Sequence, residues 1–371
     1  MKILWLTWKD YTHPQAGGAE VVLRELSRRL VDDGHTVTFL TVRHPGASAH
    51  EMLDGIEVIR VGQNRYSHSI QALAYYLRHL RGKYDVVIEV VNTAPYFSVL
   101  FGGGAKTFLF YHQLAREVWF HETKSPIAEA GYYALEPIAT RVLSRSKAPL
   151  ITVSDSTLHD LSGYGFREER GHIITQGITI QPIPSLATAQ KTKDPTILSL
   201  GALRAMKRTL DQIKAFELAK QHIRNLKFVI AGDASGEYGQ RVLDYIAHSE
   251  FAADITYEGR VTDERKTELM RQAHMMCVTS VKEGWGLIVS EAASQGTPAI
   301  VYDVDGLRDS VHDRETGLVV PPYTLALANG INNLLEDQSF YQRVRKAAWE
   351  WSKRLTFDNS YQDFKQLLLE A

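Results

Sequence analysis

The 371-residue sequence predicts an α/β fold of two tandem Rossmann-like domains. Three observations carry that reading. Short β-branched runs alternate with longer stretches of helical periodicity almost throughout, the pattern of a parallel sheet covered by helices on both faces. The alternation lapses at QPIPSLATAQKTKDP (181–195), where three prolines and a run of Ser, Thr, Ala and Lys show no period and read as a linker. It then restarts, and the length suits two domains of about 100–200 residues each.

KILWLT (2–7) is the first strand. AEVVLRELSRRLVDDG (19–34) sets Val22, Leu23, Leu26 and Leu30 on one helical face and stops at Gly34. HTVTFLTV (35–42), IEVIRV (56–61), DVVIEVV (85–91), TFLFY (107–111) and PLITVS (149–154) continue the strand series, with helical patterns at 67–81 and 126–146. Beyond the linker come TILSLG (196–201), a helix at 206–221, KFVIAGD (227–233), DITYEG (254–259), a helix at 263–273, MMCVTS (275–280), PAIVYD (298–303) and TGLVVPP (316–322). Two helices close the chain, 323–336 and 338–371, the second broken near Leu355 and Thr356. The domains are therefore 1–183 and 184–355, followed by a C-terminal helix, 356–371. Ligands of such sheets bind outside the carboxyl ends of the strands, so the site is expected in a deep cleft between the domains.

Composition removes several function classes. The net charge is −1, so no basic field points to nucleic acid. The single cysteine, Cys277, allows no internal disulfide and no cysteine metal cluster, as in a reducing compartment. The N-terminus lacks a signal-peptide pattern and no apolar run reaches the length of a membrane span. The chain is expected in the cytoplasm, with peripheral contact on the cytoplasmic membrane face left open. No histidine pair has zinc spacing, and DVDGLRD (303–309) begins like a calcium loop but lacks its later ligands.

Four features follow strands at the ligand-binding edge. In HPQAGGAE (13–20), Gly17 and Gly18 permit close backbone approach just before a helix whose free N–H groups attract anions, although an ordinary turn reads the same way. In LGALRAMKR (200–208), Arg204 and Lys207 sit where a cation opposes the helix dipole unless an anion is bound there. In KEGWGLIVSEAASQGTPAIV (282–301), Glu283 precedes a Gly284-Trp285-Gly286 loop and a helix from Leu287 that carries Glu291. Carboxylates suit sugars because each accepts two charge-assisted hydroxyl hydrogen bonds. His112, in FLFYHQ (108–113), stands just past a strand end, where a lone histidine is more often structural.

Together these segments resemble glycosyltransferase family 4, the glycosyl transferases group 1 with the GT-B fold, over nearly the whole chain. GGAE with its helix and second strand, ITVSDSTLHDLSGYGF, and above all EGWGLIVSEAASQGTPAIV with GLRDSV and TGLVVPP carry the resemblance. It implies a retaining hexosyltransferase of cell-surface polysaccharide or glycolipid synthesis, with a UDP or GDP sugar as donor and no metal or other cofactor. Arg204 and Lys207 would neutralise the leaving diphosphate. Glu283 and the N–H groups of Gly284 to Leu287 would face the transferred sugar and diphosphate. Glu291 would hold the ribose, and Val261 would lie beside the base. Gly17 and Gly18 would approach the phosphates or acceptor, and His112 would contact the sugar from the opposite wall. The C-terminal helix would cross back to pack on the first domain.

The chain also departs from the family. Gly201-Ala202 replaces the usual Gly-Arg, and Gln176-Gly177-Ile178-Thr179 lacks the usual aspartate. The acceptor is left as a glycan, a lipid-linked sugar or a small molecule. Segment 114–149 mixes Trp119, Phe120, Tyr132 and Tyr133 with basic residues, which suits a membrane interface or a partly buried helix. A GT-B epimerase or phosphorylase, and a non-catalytic nucleotide-binding protein, are the alternatives. A dehydrogenase is disfavoured by the missing GxGxxG.

Overall fold

The structure is a computed structural model that describes residues 1–62, 65–101 and 103–370. It forms two compact units: Met1–Trp119 with Ser125–Gly177 and the segment from Phe357 on, and Phe120–Lys124 with Ile178–Thr356. Each is an α/β unit built on a largely parallel sheet.

The first unit holds β1 (Lys2–Leu6), β2 (Thr36–Thr41), β3 (His50–Leu53), β4 (Ile56–Arg60), β5 (Val86–Val91), β6 (Lys106–Tyr111), β7 (Leu150–Thr152) and β8 (Gly171–Ile173). Their order is β3-β4-β2-β1-β5-β6-β7-β8. The central strands β1 and β5 are largely apolar because both faces are covered, β5 being interrupted by the buried Glu89, which accepts from the Tyr96 and Ser98 N–H groups. β3, absent from the sequence reading, is an antiparallel edge strand paired to β4. Asp54 and Gly55 join the two strands with φ of 52° and 78°, the positive pair that a two-residue hairpin needs. Trp5 lies at the centre of the core, 5.7 Å from Phe364 in a stacked pair. Phe364 belongs to the last helix, Phe357–Glu370, so this helix is part of the first unit's core. Tyr361 on the same helix donates to Asp33 at 2.6 Å.

The second unit holds β9 (Thr196–Leu200), β10 (Lys227–Ala231), β11 (Ile255–Gly259), β12 (Met275–Val278), β13 (Ala299–Tyr302) and β14 (Gly317–Val320), ordered β11-β10-β9-β12-β13-β14 and all parallel. This is the doubly wound 3-2-1-4-5-6 order, and its direction reverses between β9 and β12. The crevice at that reversal is the usual ligand position in such sheets.

Several helices differ from expectation. The helix foreseen at 206–221 begins at Thr209, because Arg208 takes a left-handed conformation with φ 51°. Helices Glu237–His248 and Asp155–Ser162 were not foreseen; the second is capped by Ser154, whose hydroxyl accepts from the Thr157 N–H. The pattern at 126–146 is a helix with a wide π turn at Gly131–Leu135. A Cβ on Gly131 would lie 2.4 Å from the Trp119 ring, so glycine lets the helix rest on the indole. The final helices are Gln338–Ser352 and Phe357–Glu370, broken near the expected place; residue 371 lies outside the described residues.

Candidate functional site

In the second unit, the loops after β9 and β12 flank the point where the strand order reverses. They are sutured together. Thr279 donates to the carbonyl of Lys207 at 2.8 Å, and the Val281 N–H donates to that of Met206, also at 2.8 Å. This brings two residues 76 apart in sequence into contact: Lys207 Nζ pairs with Glu283 Oε1. Ser280 donates to the same carboxylate oxygen at 2.7 Å and fixes its direction. Lys207 sits in a 3-10 turn, Ala205–Lys207, ahead of the helix rather than within it. Arg204 is not in this cluster; its guanidinium pairs with Glu122 at 2.6 Å.

The Glu283 loop is held from behind by the loop after β13. The Glu283 N–H donates to the Asp305 carbonyl at 3.1 Å. Gly306 has φ 78°, and a Cβ there would lie 2.1 Å from the Glu283 carbonyl oxygen. Only glycine fits both the turn and the approach. Lys282 is buried against Asp305, and Arg308 pairs with Asp305 and Asp303. Burial alone would raise Asp305, but the Lys282 and Arg308 cations outweigh it and hold the carboxyl below its usual range. Asp303 and Asp305 of DVDGLRD therefore serve as counter-ions to neighbouring cations, and Asp309 accepts from the Gly306 N–H at 2.9 Å.

Past Glu283, Gly284 and Trp285 lead to Gly286, whose φ of 85° turns the chain into helix Leu287–Ser294. The Trp285 indole folds back to donate to Ser290 at 3.2 Å. N–H groups at such a helix start have no carbonyl a turn earlier and can serve an anion. Glu291 is the fifth residue of this helix and pairs at 3.1 Å with Lys266 of helix Asp263–Gln272. Burial raises Glu291 above the usual carboxylate range despite that cation. Val261 follows β11 and packs on the apolar cluster beneath that helix. Along this edge the backbones of the first loops nearly touch: a Cβ on Gly232 would meet the Gly201 carbonyl oxygen at 1.8 Å.

In the first unit, Gly17 and Gly18 open helix Gly18–Asp32 after β1. The Gly17 N–H is already committed, at 2.7 Å, to the carboxylate of Glu20. The preceding loop hangs on a buried ion pair, Asp10 with Arg60 at 2.8 Å, and Asp10 also accepts from the Thr12 N–H and hydroxyl. His112 follows β6 and stacks on Phe110 with centroids 4.6 Å apart. Burial lowers its pKa to about 4, and its Nε2 is buried without a hydrogen-bond partner. A neutral imidazole with an uncommitted nitrogen is ready to bond a neutral hydroxyl.

These loops belong to a pattern seen in known proteins. Residues 16–181 match the model described as Glycosyltransferase Family 4, and residues 186–351 match that of Glycosyl transferases group 1, so that the two span most of the chain. The chain is a family 4 glycosyltransferase of the GT-B fold. It is 27% identical to a D-inositol 3-phosphate glycosyltransferase of Xylanimonas cellulosilytica over 93% of this chain and 89% of that one. It is 24% identical to a glycogen synthase of Mycobacterium tuberculosis over 98% and 92%. Among solved structures, a sucrose-phosphate synthase of Thermosynechococcus elongatus superposes with a TM-score of 0.80 at 20% identity, covering 100% of this chain and 98% of that one. HepE of Anabaena, solved with UDP-glucose, gives 0.75 at 17% identity with complete coverage of both. At these identities the structural likeness speaks for the fold.

The glycosyltransferase carries supports that its sequence did not reveal. Ser280, three residues before Glu283, turns back onto its carboxylate, while Lys266 beside Glu291 and Asp305 beneath the Glu283 loop join segments distant in sequence. No local pattern encodes such pairs. Among the described residues no group of three or more His, Cys, Asp or Glu side chains is gathered as a metal site requires, and no helix is long and apolar enough to cross a membrane.

Proposed function

We propose that this glycosyltransferase moves a hexose from a nucleoside-diphosphate donor to a glycan, lipid-linked or small-molecule acceptor, with retention at the anomeric carbon and without a metal. The observation that carries this reading is the meeting of Lys207 and Glu283 at the reversal of the second sheet, beside a helix start. Lys207 supplies the positive charge that a leaving diphosphate needs, the role a metal ion plays in other transferases. Arg204 adds to it once released from Glu122. Glu283 and the N–H groups from Gly284 to Leu287 receive the sugar and the diphosphate. Glu291, kept beside Lys266, binds the ribose diol, and Val261 borders the base. In the first unit, the Gly17-Gly18 turn and His112 serve the acceptor and the transferred sugar. The acceptor hydroxyl bonds to the anomeric carbon as the carbon–phosphate oxygen bond breaks on the same face. The departing phosphate oxygen takes the acceptor proton. The UDP-glucose bound by HepE favours a nucleotide-sugar donor.

The test is a thermal-shift panel of UDP, GDP, ADP, dTDP and CMP, with and without Mg²⁺, on the wild type and on Glu291→Ala. A ligand of the native state raises Tm by mass action. Stabilisation by one diphosphate, independent of Mg²⁺ and weakened in the variant, supports the reading; no shift with any nucleotide overturns it. The same proposal places the protein in the cytoplasm, at the membrane face. Ile127, Tyr133, Leu135 and Ile138 are exposed in a segment that also carries Arg141, Arg145 and Lys147. Failure to sediment with anionic vesicles at low salt would remove membrane contact from it.

A further inference from the structure

Buried cations in this chain usually carry a carboxylate. Arg60 has Asp10, Lys220 has Asp254 and Lys282 has Asp305. Two do not. Lys191 donates to the Ala273 carbonyl at 2.5 Å and the Thr297 hydroxyl at 2.6 Å. Arg345 donates to the carbonyls of Gly296 and Leu186, each at 3.0 Å. All four partners are neutral. Ala273 and Gly296 lie just past the ends of helices Asp263–Gln272 and Leu287–Ser294, so those dipoles offset part of the charge. They do not replace an anion.

The two cations line a cavity of about 410 Å³ together with Lys193 and His274. It sits at the amino ends of β9 and β12, where the His274 N–H donates to the Thr196 carbonyl. Lys207 and Glu283 follow the opposite ends of these strands, about 15 Å away at the rise of a strand. The volume suits a small metabolite. The titratable groups facing it are Lys191 and Lys193 from the linker, His274 ahead of β12, Tyr341 and Arg345 from helix Gln338–Ser352, and Glu336 from helix Thr324–Glu336. Glu336 pairs with none of the cations among the described residues. Burial, then the Arg345 charge, lowers Lys191 well below the usual lysine range. Burial, then Lys191 and Arg345, lowers His274 to about 4. Burial and the neighbouring cations thus disfavour the charged forms of Lys191 and His274, a cost that a bound anion would offset.

We propose that this cavity is a second ligand site of the glycosyltransferase, taking the phosphate group of a small phosphorylated metabolite. The ligand would bridge Lys191, Lys193, His274 and Arg345. It would also brace the linker, which Arg345 already holds at Leu186 and Trp349 holds at Ile183 through a 3.0 Å bond. The site is independent of the donor reading, since it shares no residue with the loops after β9 and β12.

The test uses the full chain with ¹³C-labelled histidine, His274 being assigned through His274→Gln. Inorganic phosphate and then fructose 6-phosphate are titrated at constant ionic strength. An anion at this distance should raise the His274 titration midpoint by about one unit or more. Lys193→Glu, an exposed rim change, should weaken binding about tenfold, the effect of removing one favourable charge contact and adding a repulsive one. Lys214→Glu, elsewhere on the same unit, should leave it unchanged. A response to phosphate assigns the site to the free anion, and a response to the ester alone assigns it to a sugar phosphate. A His274 midpoint unmoved by both ligands overturns the proposal. So does binding that is equal in wild type, Lys193→Glu and Lys191→Met.

Discussion

Gly306→Ala tests whether the loop after β13 sets the position of Glu283. The new Cβ would start 2.1 Å from the Glu283 carbonyl oxygen and 2.8 Å from the Gly284 carbonyl carbon. Non-bonded carbon and oxygen need more than 3 Å, so the Glu283-Gly284 backbone must retreat by about 1 Å. A displacement of that size at a reacting centre costs about 10²-fold in rate. The positive φ of 78° adds backbone strain of about 1–3 kcal/mol. Gly34→Ala is the matched control: its φ is 82°, and a Cβ there meets nothing within 4 Å. It carries the strain without the collision and should keep wild-type turnover. The assay is nucleoside diphosphate release from the donor that the thermal-shift panel selects, run well below each variant's Tm, with near-UV circular dichroism to verify folding. A folded Gly306→Ala enzyme with turnover within threefold of Gly34→Ala would refute the claim that this contact positions Glu283.

Lys207→Ala should lower kcat roughly 10²-fold or more, the scale of losing one key electrostatic donor, and wild-type turnover would exclude Lys207 from the reaction. Asp10→Ala should destabilise the first unit in urea unfolding by less than the about 3–5 kcal/mol of a fully orphaned buried charge, because Arg60 loses its buried partner but keeps Glu51, while the double variant Asp10→Leu/Arg60→Met should recover part of that loss. His112 is held neutral, its pKa lowered from 6.5 to about 4. The unfolded chain then binds the proton first as pH falls, so this stability is present above pH 6.5 and is lost toward pH 4, by at most about 3 kcal/mol. His112→Gln should lose less stability than wild type between pH 7.5 and 4.5 in chloride buffer, and equal losses would show that His112 titrates as an ordinary histidine.

The parts that the sequence revealed are those written in local pattern. Period alternation is local, so both largely parallel sheets were readable. Lys207, Glu283 and His112 stood out as candidates because each lies a few residues past a β-branched run, and in a doubly wound sheet that place is the ligand edge. β3 could also have been found: Asp54-Gly55 between apolar runs is a hairpin signal in its own right. The start of the helix at Thr209 could not, since nothing about an arginine announces the left-handed conformation of Arg208.

What stayed hidden was the support. DVDGLRD reads as a failed calcium loop because its acids are visible in sequence and their partners are not. Asp305 answers to Lys282, 23 residues earlier, and Gly306 to the backbone of Glu283. The same holds at the β9 edge, where Gly232 lets its backbone close on Gly201. In both places one loop sets the position of another through a contact that no side chain could survive. Side-chain chemistry at Lys207 and Glu283 can be altered one group at a time. The glycines behind them cannot, because any Cβ moves a whole loop. For this fold the least tolerant positions of the site are therefore expected to be Gly306 and Gly232, which carry no chemistry themselves.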